Sequence, residues 1–408
     1  MNYKQMAVFN TVGNVTYLLC LWLLTVFVTR VAGYEAAGIF ALAISVVNVV
    51  VSFQMFGVRS YQVSDVRGEY CGEQYVFGRY FTTVVGLLLC VTYCLLMDYT
   101  ANVTAIILSY ALYRSAEAVA DVYWGELQKI GRLDIAAKSL IARGCALIML
   151  NVLALYWGGE LYVGLSLSAL MAAFITIVYD RAAYLRLTGQ GGISLSLHQM
   201  LEPLFPCFNL LLTTMFPMIV VALPRIFLER YNGAELLGYY GNVSAPTVLI
   251  SSMVPSVLVP IMTWYGELFQ SREEKKILHG FILSLFACVF LGIMACVAVW
   301  VAGEWVMSFV FTRAIFPYVH YLYPLIWSTV IYAWTMCANA VLISVRETHA
   351  VTIFSTAALL TAGVISNQLV KELAIPGAIL TLMAAYTLQF LLQLIWIVIW
   401  YHRMGKTD

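Results

Sequence analysis

The sequence predicts an all-α integral membrane protein: twelve transmembrane helices in two six-helix lobes related by a pseudo-two-fold along the membrane normal. Composition is the first reason. At 62% hydrophobic and 11% charged residues, the chain holds more apolar surface than a soluble globule buries. The second is the run pattern. Apolar stretches long enough to cross about 30 Å of hydrocarbon as helices lie near 7–29, 36–56, 77–97, 102–125, 139–157, 161–179, 206–224, 238–262, 280–301, 318–345, 350–370 and 377–400. They are continuous rather than alternating, which argues against a barrel. The third is an internal echo. Gly33-Tyr34-Glu35-Ala36-Ala37-Gly38-Ile39-Phe40 recurs 200 residues later as Gly233-Ala234-Glu235-Leu236-Leu237-Gly238-Tyr239-Tyr240. Gly164 before Leu170-Met171-Ala172-Ala173-Phe174 is echoed in the same order by Gly377 before Leu382-Met383-Ala384-Ala385-Tyr386, the mark of a duplicated unit.

The first span, preceded by a single Lys4 and followed by eleven more, reads as a retained helix rather than a removable signal. Alternate loops divide the basic residues unequally. One set, from Lys4 through 59–79, 129–143, 181–186, 272–276, 346 and 403–406, carries 16 Lys and Arg, whereas the other (30, 225–230, 313 and 371) carries 5. The basic set is expected to be cytoplasmic, which puts both termini inside and both glycine–acid hairpins outside. An even number of spans separates the copies, so the repeat axis follows the membrane normal. The expected division is an N-terminal lobe 1–188, a cytoplasmic linker 189–205 and a C-terminal lobe 206–408. The linker holds Thr188-Gly189-Gln190-Gly191-Gly192 and a short amphipathic piece over 197–205.

Several function classes recede at this stage. A net charge of +1 gives no reason to expect nucleic acid, and the basic loops are explained by topology and anionic membrane lipid. The nine cysteines and five histidines show no metal-ligand spacing, so no metal or other cofactor is expected. Gly405-Lys406-Thr407 resembles the end of a phosphate-binding loop, but Trp400 stands where the earlier glycine belongs. Short outer loops offer no scaffold for a large active site, so the chain is not read as an enzyme.

Charge inside the spans is the strongest functional signal. Tyr110, Arg114, Glu117, Asp121 and Gln128 of the fourth span fall within an arc of about 60°. Each ionised group costs about 2.5–3.5 kcal/mol at the centre of a helix in lipid, so the stripe must face protein or a wet cavity. No other span is expected to carry charge so deep. Arg114 is the candidate anion contact, and Glu117 and Asp121 are candidates for ion coupling or for a structural pair with it. The second span repeats the pattern with Ser45, Asn48, Ser52, Arg59 and Gln62, and the first adds Asn10, Asn14 and Tyr17. Arg59 at the inner mouth, with Gln62 on its face, either snorkels to headgroups or receives a phosphate. Arg143, about one turn inside the fifth span, is an intermediate case between these two roles. The seventh and eighth spans hold Pro206, Pro217, Pro224, Pro246, Pro255 and Pro260 and no buried charge, which suggests bends suited to gating.

Gly57-Val58-Arg59-Ser60-Tyr61-Gln62-Val63-Ser64-Asp65 and Glu117-Ala118-Val119-Ala120-Asp121-Val122-Tyr123-Trp124-Gly125-Glu126-Leu127-Gln128-Lys129, continued by Gly131-Arg132-Leu133-Asp134, Lys138-Ser139 and Arg143, resemble the Wzx-type O-antigen and capsule flippases. These belong to the multidrug/oligosaccharidyl-lipid/polysaccharide (MOP) superfamily. The resemblance spans most of the chain. It implies two lobes around a central cavity, alternating access in a bacterial plasma membrane, and an undecaprenyl-diphosphate-linked oligosaccharide as cargo, moved with ion or potential coupling. It also implies a polysaccharide polymerase and chain-length machinery as partners. Diphosphate or sugar contacts would be Arg59, Gln62, Arg114, Asn10, Asn14 and Arg225. Similar flippases often carry Asn-Ala-Pro-Lys-Tyr where this chain has Ala222-Leu223-Pro224-Arg225-Ile226, which keeps the proline and the charge but loses Asn and Tyr. Two alternatives stand beside this reading: a MATE-type cation-coupled drug antiporter, with Glu117 and Asp121 as ion ligands, and a membrane polymerase or glycosyltransferase.

Overall fold

The computed structural model describes residues 3–65, 67–189 and 196–404. Residues 190–195 of the expected linker and the Gly405-Lys406-Thr407 tail lie outside that set. Among the described residues the chain is helical and contains no strand. Among the described residues, nine helical stretches are long and apolar enough to cross a membrane. Ala101–Lys129 is not among them, because its charged and amide side chains lower its hydropathy.

The chain divides into two compact units, 1–218 and 219–408. The division falls within a helix, after Met218. Unit 1 begins with α1 (Tyr3–Met55), whose 53 residues are interrupted at Gly33, φ 86° and ψ 179°. Phe56 and Gly57, with φ of 50° and 66°, then turn the chain into the seven-residue α2 (Val58–Ser64). There follow α3 (Gly72–Met97), α4 (Ala101–Lys129, capped by the Thr100 hydroxyl), α5 (Leu133–Tyr156) and α6 (Leu161–Ile175). A π-helical turn, Thr176–Arg181, joins α6 to α7 (Ala182–Thr188). The short α8 (Leu197–Leu201) and the start of α9 (Leu204–Gln270) complete the unit. α1 packs along α5, and α4 packs against α6 and α1. Small residues permit this closeness: a Cβ at Gly13 would stand 2.7 Å from the Ala137 Cα.

Unit 2 holds the remainder of α9, then α10 (Glu274–Val310), a 3₁₀ segment (Arg313–Tyr321), α11 (Leu322–Ser344), α12 (Thr348–Leu373) and α13 (Ile375–Met404). Its core gathers Tyr265, Phe281, Val341 and Leu342 from α9, α10 and α11, with Phe390 and Ile397 from α13. The break in α9 falls at Gly233, φ 85° and ψ 165°, rather than at any of the six prolines.

The echo in the sequence is therefore an echo in backbone geometry. Gly33 and Gly233 share a conformation open essentially only to glycine. Gly164 and Gly377 sit near the starts of α6 and α13, where an added Cβ would lie 2.8 Å from the Asn151 Cα and 2.0 Å from the Leu369 carbonyl oxygen, respectively. One turn later, the Ser168 hydroxyl donates to the Gly164 carbonyl at 2.8 Å and the Thr381 hydroxyl to the Gly377 carbonyl at 2.9 Å.

Candidate functional site

The turn at Phe56 and Gly57 leaves the last carbonyls of α1 without helical partners. Two side chains of α3 meet one of them, the Gln54 carbonyl: the Thr82 hydroxyl, which donates at 2.8 Å, and Arg79, which is fully buried. It donates Nη1 to the Gln54 carbonyl at 2.6 Å and Nη2 to Asp121 Oδ2 at 3.2 Å. A guanidinium at a helix C-terminus also meets the negative end of the helix dipole. Arg59 reaches the same carboxylate from α2, Nη1 to Asp121 Oδ1 at 2.7 Å, and gives Nη2 to Gln128 Oε1 at 3.0 Å. One carboxylate is thus shared by two arginines of unequal access: the Arg59 side chain is 31% exposed and that of Arg79 0%. Gln62 fixes α2 against α4 by donating to the Val122 carbonyl at 3.1 Å and to Glu126 Oε1 at 2.9 Å. Glu126 also accepts from Lys129 at 3.0 Å. Gly125 makes room for this: a Cβ there would lie 2.2 Å from Gln62 Oε1.

Two turns before Asp121, Arg114 Nη1 donates to Glu117 Oε2 at 2.7 Å and to the Tyr17 hydroxyl oxygen at 3.0 Å. The Tyr17 hydroxyl donates to the same Glu117 oxygen at 2.5 Å. The stripes of the first and fourth spans therefore meet within unit 1. Asn14 turns inward on its own helix and gives Nδ2 to the Asn10 carbonyl at 2.8 Å.

A third group lies between α4, α5 and the π-helical turn. Asp180 accepts from Trp124 Nε1 at 2.9 Å, from the Ser139 hydroxyl at 2.9 Å and from Arg143 Nη2 at 2.8 Å. Arg143 is 1% and Asp180 0% exposed. Arg143 also donates to the Ser139 and Thr176 hydroxyls, and its guanidinium lies 5.7 Å from the Trp124 ring centroid.

The structure alters the expected picture in several places. Charge buried in the helices is not confined to the fourth span, because Arg79, Arg143 and Asp180 are buried at least as fully as Asp121. The stripe assigned to the second span is not one continuous face. Arg59 and Gln62 sit on α2 beyond the glycine turn, whereas the Ser45 and Ser52 hydroxyls donate to the Ala41 and Asn48 carbonyls of their own helix. Arg225 belongs to unit 2, where it is 8% exposed, 3.4 Å from the Ser244 hydroxyl and 5.8 Å from the Tyr240 ring centroid. Arg79 and Asp180 are hard to see in the sequence because an apolar run beginning at 77 leaves Arg79 among the loop charges and one ending at 179 leaves Asp180 just beyond a span. The apolar Ala182-Ala183-Tyr184-Leu185 after Asp180 is the signal that the helix continues. Among the described residues no cluster of metal-ligating side chains occurs.

At the end of α2, Asp65 closes the following loop. Its carboxylate accepts from the backbone N–H groups of Glu69 and Tyr70 at 2.9 and 3.2 Å and from the Tyr75 hydroxyl at 3.0 Å. Burial works to raise its pKa, but those bonds, with Lys129 nearby, outweigh it and hold the group below the ordinary carboxylate value.

Helices of this length and apolarity, with ionised groups paired inside them, define a multi-pass membrane protein. Residues 4–266 match the polysaccharide biosynthesis protein family, and the chain belongs to it. No curated protein matches it closely. Among solved structures it resembles an inward-facing multidrug resistance MATE family transporter of the MOP superfamily (TM-score 0.72, 13% identity, 98% of this chain and 96% of the other). It likewise resembles the lipid II flippase MurJ in an inward closed conformation (TM-score 0.71, 12% identity, 96% and 87%). A third is a MOP superfamily transporter from Pyrococcus furiosus, described as having a binding pocket of reverse polarity (TM-score 0.59, 15% identity, 97% and 95%). The fold is the one these transporter and flippase structures share.

Proposed function

We propose that the chain flips a lipid-linked oligosaccharide with an anionic diphosphate head from the cytoplasmic to the outer leaflet of a bacterial plasma membrane, by alternating access with ion or potential coupling. The observation that carries this reading is the shared carboxylate. When Arg59 turns toward an incoming phosphate, Asp121 keeps its bond to Arg79, so no buried charge is left alone. Arg59 is therefore a guanidinium that can change partners, and its planar fork suits two phosphate oxygens at once. Arg114, held by Glu117 and Tyr17, is the next cation along α4 and serves as the anion contact deeper in the membrane. The family match and the fold support a membrane step in polysaccharide synthesis.

The antiporter reading draws on the same fold, but fold alone does not choose cargo. Glu117 and Asp121 are each engaged by arginine, which suits an anion better than a cationic drug. Purified protein in liposomes should flip a fluorescent polyprenyl-diphosphate oligosaccharide and not the same glycan on an uncharged lipid anchor. Transport of cationic dyes with no movement of the diphosphate lipid would reject the proposal.

A further inference from the structure

Unit 2 carries an aromatic group that the diphosphate reading does not use. Tyr239 of α9 stacks on Tyr318 of the 3₁₀ segment, with ring centroids 4.4 Å apart and planes at 18°. Tyr321 follows at 6.4 Å from Tyr318, and His320 lies 4.0 Å from Tyr321. One helical turn before Tyr239, Glu235 Oε1 accepts from the Tyr239 hydroxyl at 3.4 Å. The three tyrosines are half-buried, whereas Glu235 and His320 are exposed. Beneath them Phe311, Ile315 and Val319 are buried and anchor the segment.

The chain path fixes which end of unit 2 this is. α10 runs from Glu274 to Val310 and α11 returns to Ser344. The 3₁₀ segment and the Gly233 break therefore share one end, opposite Arg272, Lys275, Lys276 and Arg346. By the distribution of basic loops this is the outer end.

The group differs in exposure from both the core rings and the open rings of α10. Core rings are fully buried, as Phe281 and Phe311 are. The exposed rings of α10 are far more open: Trp305 and Phe309, stacked on one another with centroids 5.7 Å apart, are 70% and 67% exposed. The Tyr239–Tyr318 group instead combines ring surface with a carboxylate, phenolic hydroxyls and an imidazole at an accessible edge. Apolar faces beside hydrogen-bond acceptors are what a sugar ring needs: its C–H face lies on an aromatic plane and its hydroxyls donate to a carboxylate.

We propose that Tyr239, Tyr318, Tyr321 and Glu235 form a saccharide-binding subsite that receives the glycan of the cargo at the outer end of unit 2. The identity of the glycan rests on the proposed function; the subsite itself rests on the stack and its carboxylate.

The test uses the purified full-length protein and, as probe, the free oligosaccharide released by mild acid from the lipid-diphosphate fraction of the producing cell. Saturation-transfer NMR reports binding of the sugar without its diphosphate. Transfer to the sugar ring protons is expected with the unmodified protein and with Tyr318→Phe. Tyr318→Ala should weaken it about tenfold, and so should Glu235→Ala, an exposed position whose change leaves the rings packed. No transfer to the unmodified protein, or undiminished transfer with both Tyr318→Ala and Glu235→Ala, overturns the subsite. Because the probe carries no phosphate, that failure is separate from a failure of diphosphate flipping, which is read in the liposome assay.

Discussion

Individual side chains in this molecule are constrained by what surrounds them rather than by their own class. Gly33 and Gly233 have open space where a Cβ would go, so replacing them costs conformation alone. Gly33→Ala and Gly233→Ala should each lower stability by about 1–3 kcal/mol, read from unfolding in detergent. Equal stability would show that the two breaks are relaxed. Asp180 lies at the opposite extreme, closed in on every side. Arg143→Leu leaves its carboxylate with only the Ser139 hydroxyl and the Trp124 indole, and should cost about 3–5 kcal/mol, whereas the double change Arg143→Leu with Asp180→Leu should recover much of the loss. Asp65 supplies a pH dependence. Its folded pKa lies below the ordinary value, so its contribution is fully present above that value and disappears as pH falls through the folded one. The protection of the Glu69 and Tyr70 amides, their exchange rates taken relative to the intrinsic rate at each pH, should therefore fall in acid, below pH of about 4. In Asp65→Asn that protection should be low already and nearly flat with pH.

At the scale of elements, what the sequence made legible was whatever depends on runs and repeats. The apolar stretches became helices, and the two glycine–acid motifs became the two breaks at Gly33 and Gly233, because a long apolar run and a position open only to glycine are both written locally. The pairings across helices were less accessible. Helical periodicity aligned Arg114, Glu117 and Asp121, and it suggested the Arg114–Glu117 pair three residues apart, but Asp121 found its partners on α2 and α3. No spacing within α4 could reveal that. Nor could periodicity foresee α2 as a separate helix, since the turn at Phe56 and Gly57 shifts the face on which Arg59 and Gln62 lie. Gly125 connects the two levels: it is a small residue in an ordinary helix whose missing Cβ admits Gln62. Gly125→Leu should displace Gln62 from Glu126, loosen α2 and reduce transport more than it reduces protein abundance, which membrane-fraction quantification alongside the liposome assay would resolve.

For the whole molecule, a chain of the polysaccharide biosynthesis family, with a fold shared with MATE and MurJ structures, carries the fully buried Arg79 and Arg143 and the part-exposed Arg59. The central proposal is that Arg59 exchanges Asp121 for the diphosphate of the cargo while Arg79 holds Asp121 in place. The most direct measurement is the initial rate of polyprenyl-diphosphate oligosaccharide flipping in liposomes for the unmodified protein, Arg59→Lys and Arg59→Ala at equal reconstituted amounts. The account expects Arg59→Lys to retain part of the rate, since one charge remains without the bidentate fork, and Arg59→Ala to lose about tenfold or more, the equivalent of one charge-assisted bond. A full rate for Arg59→Ala would contradict it.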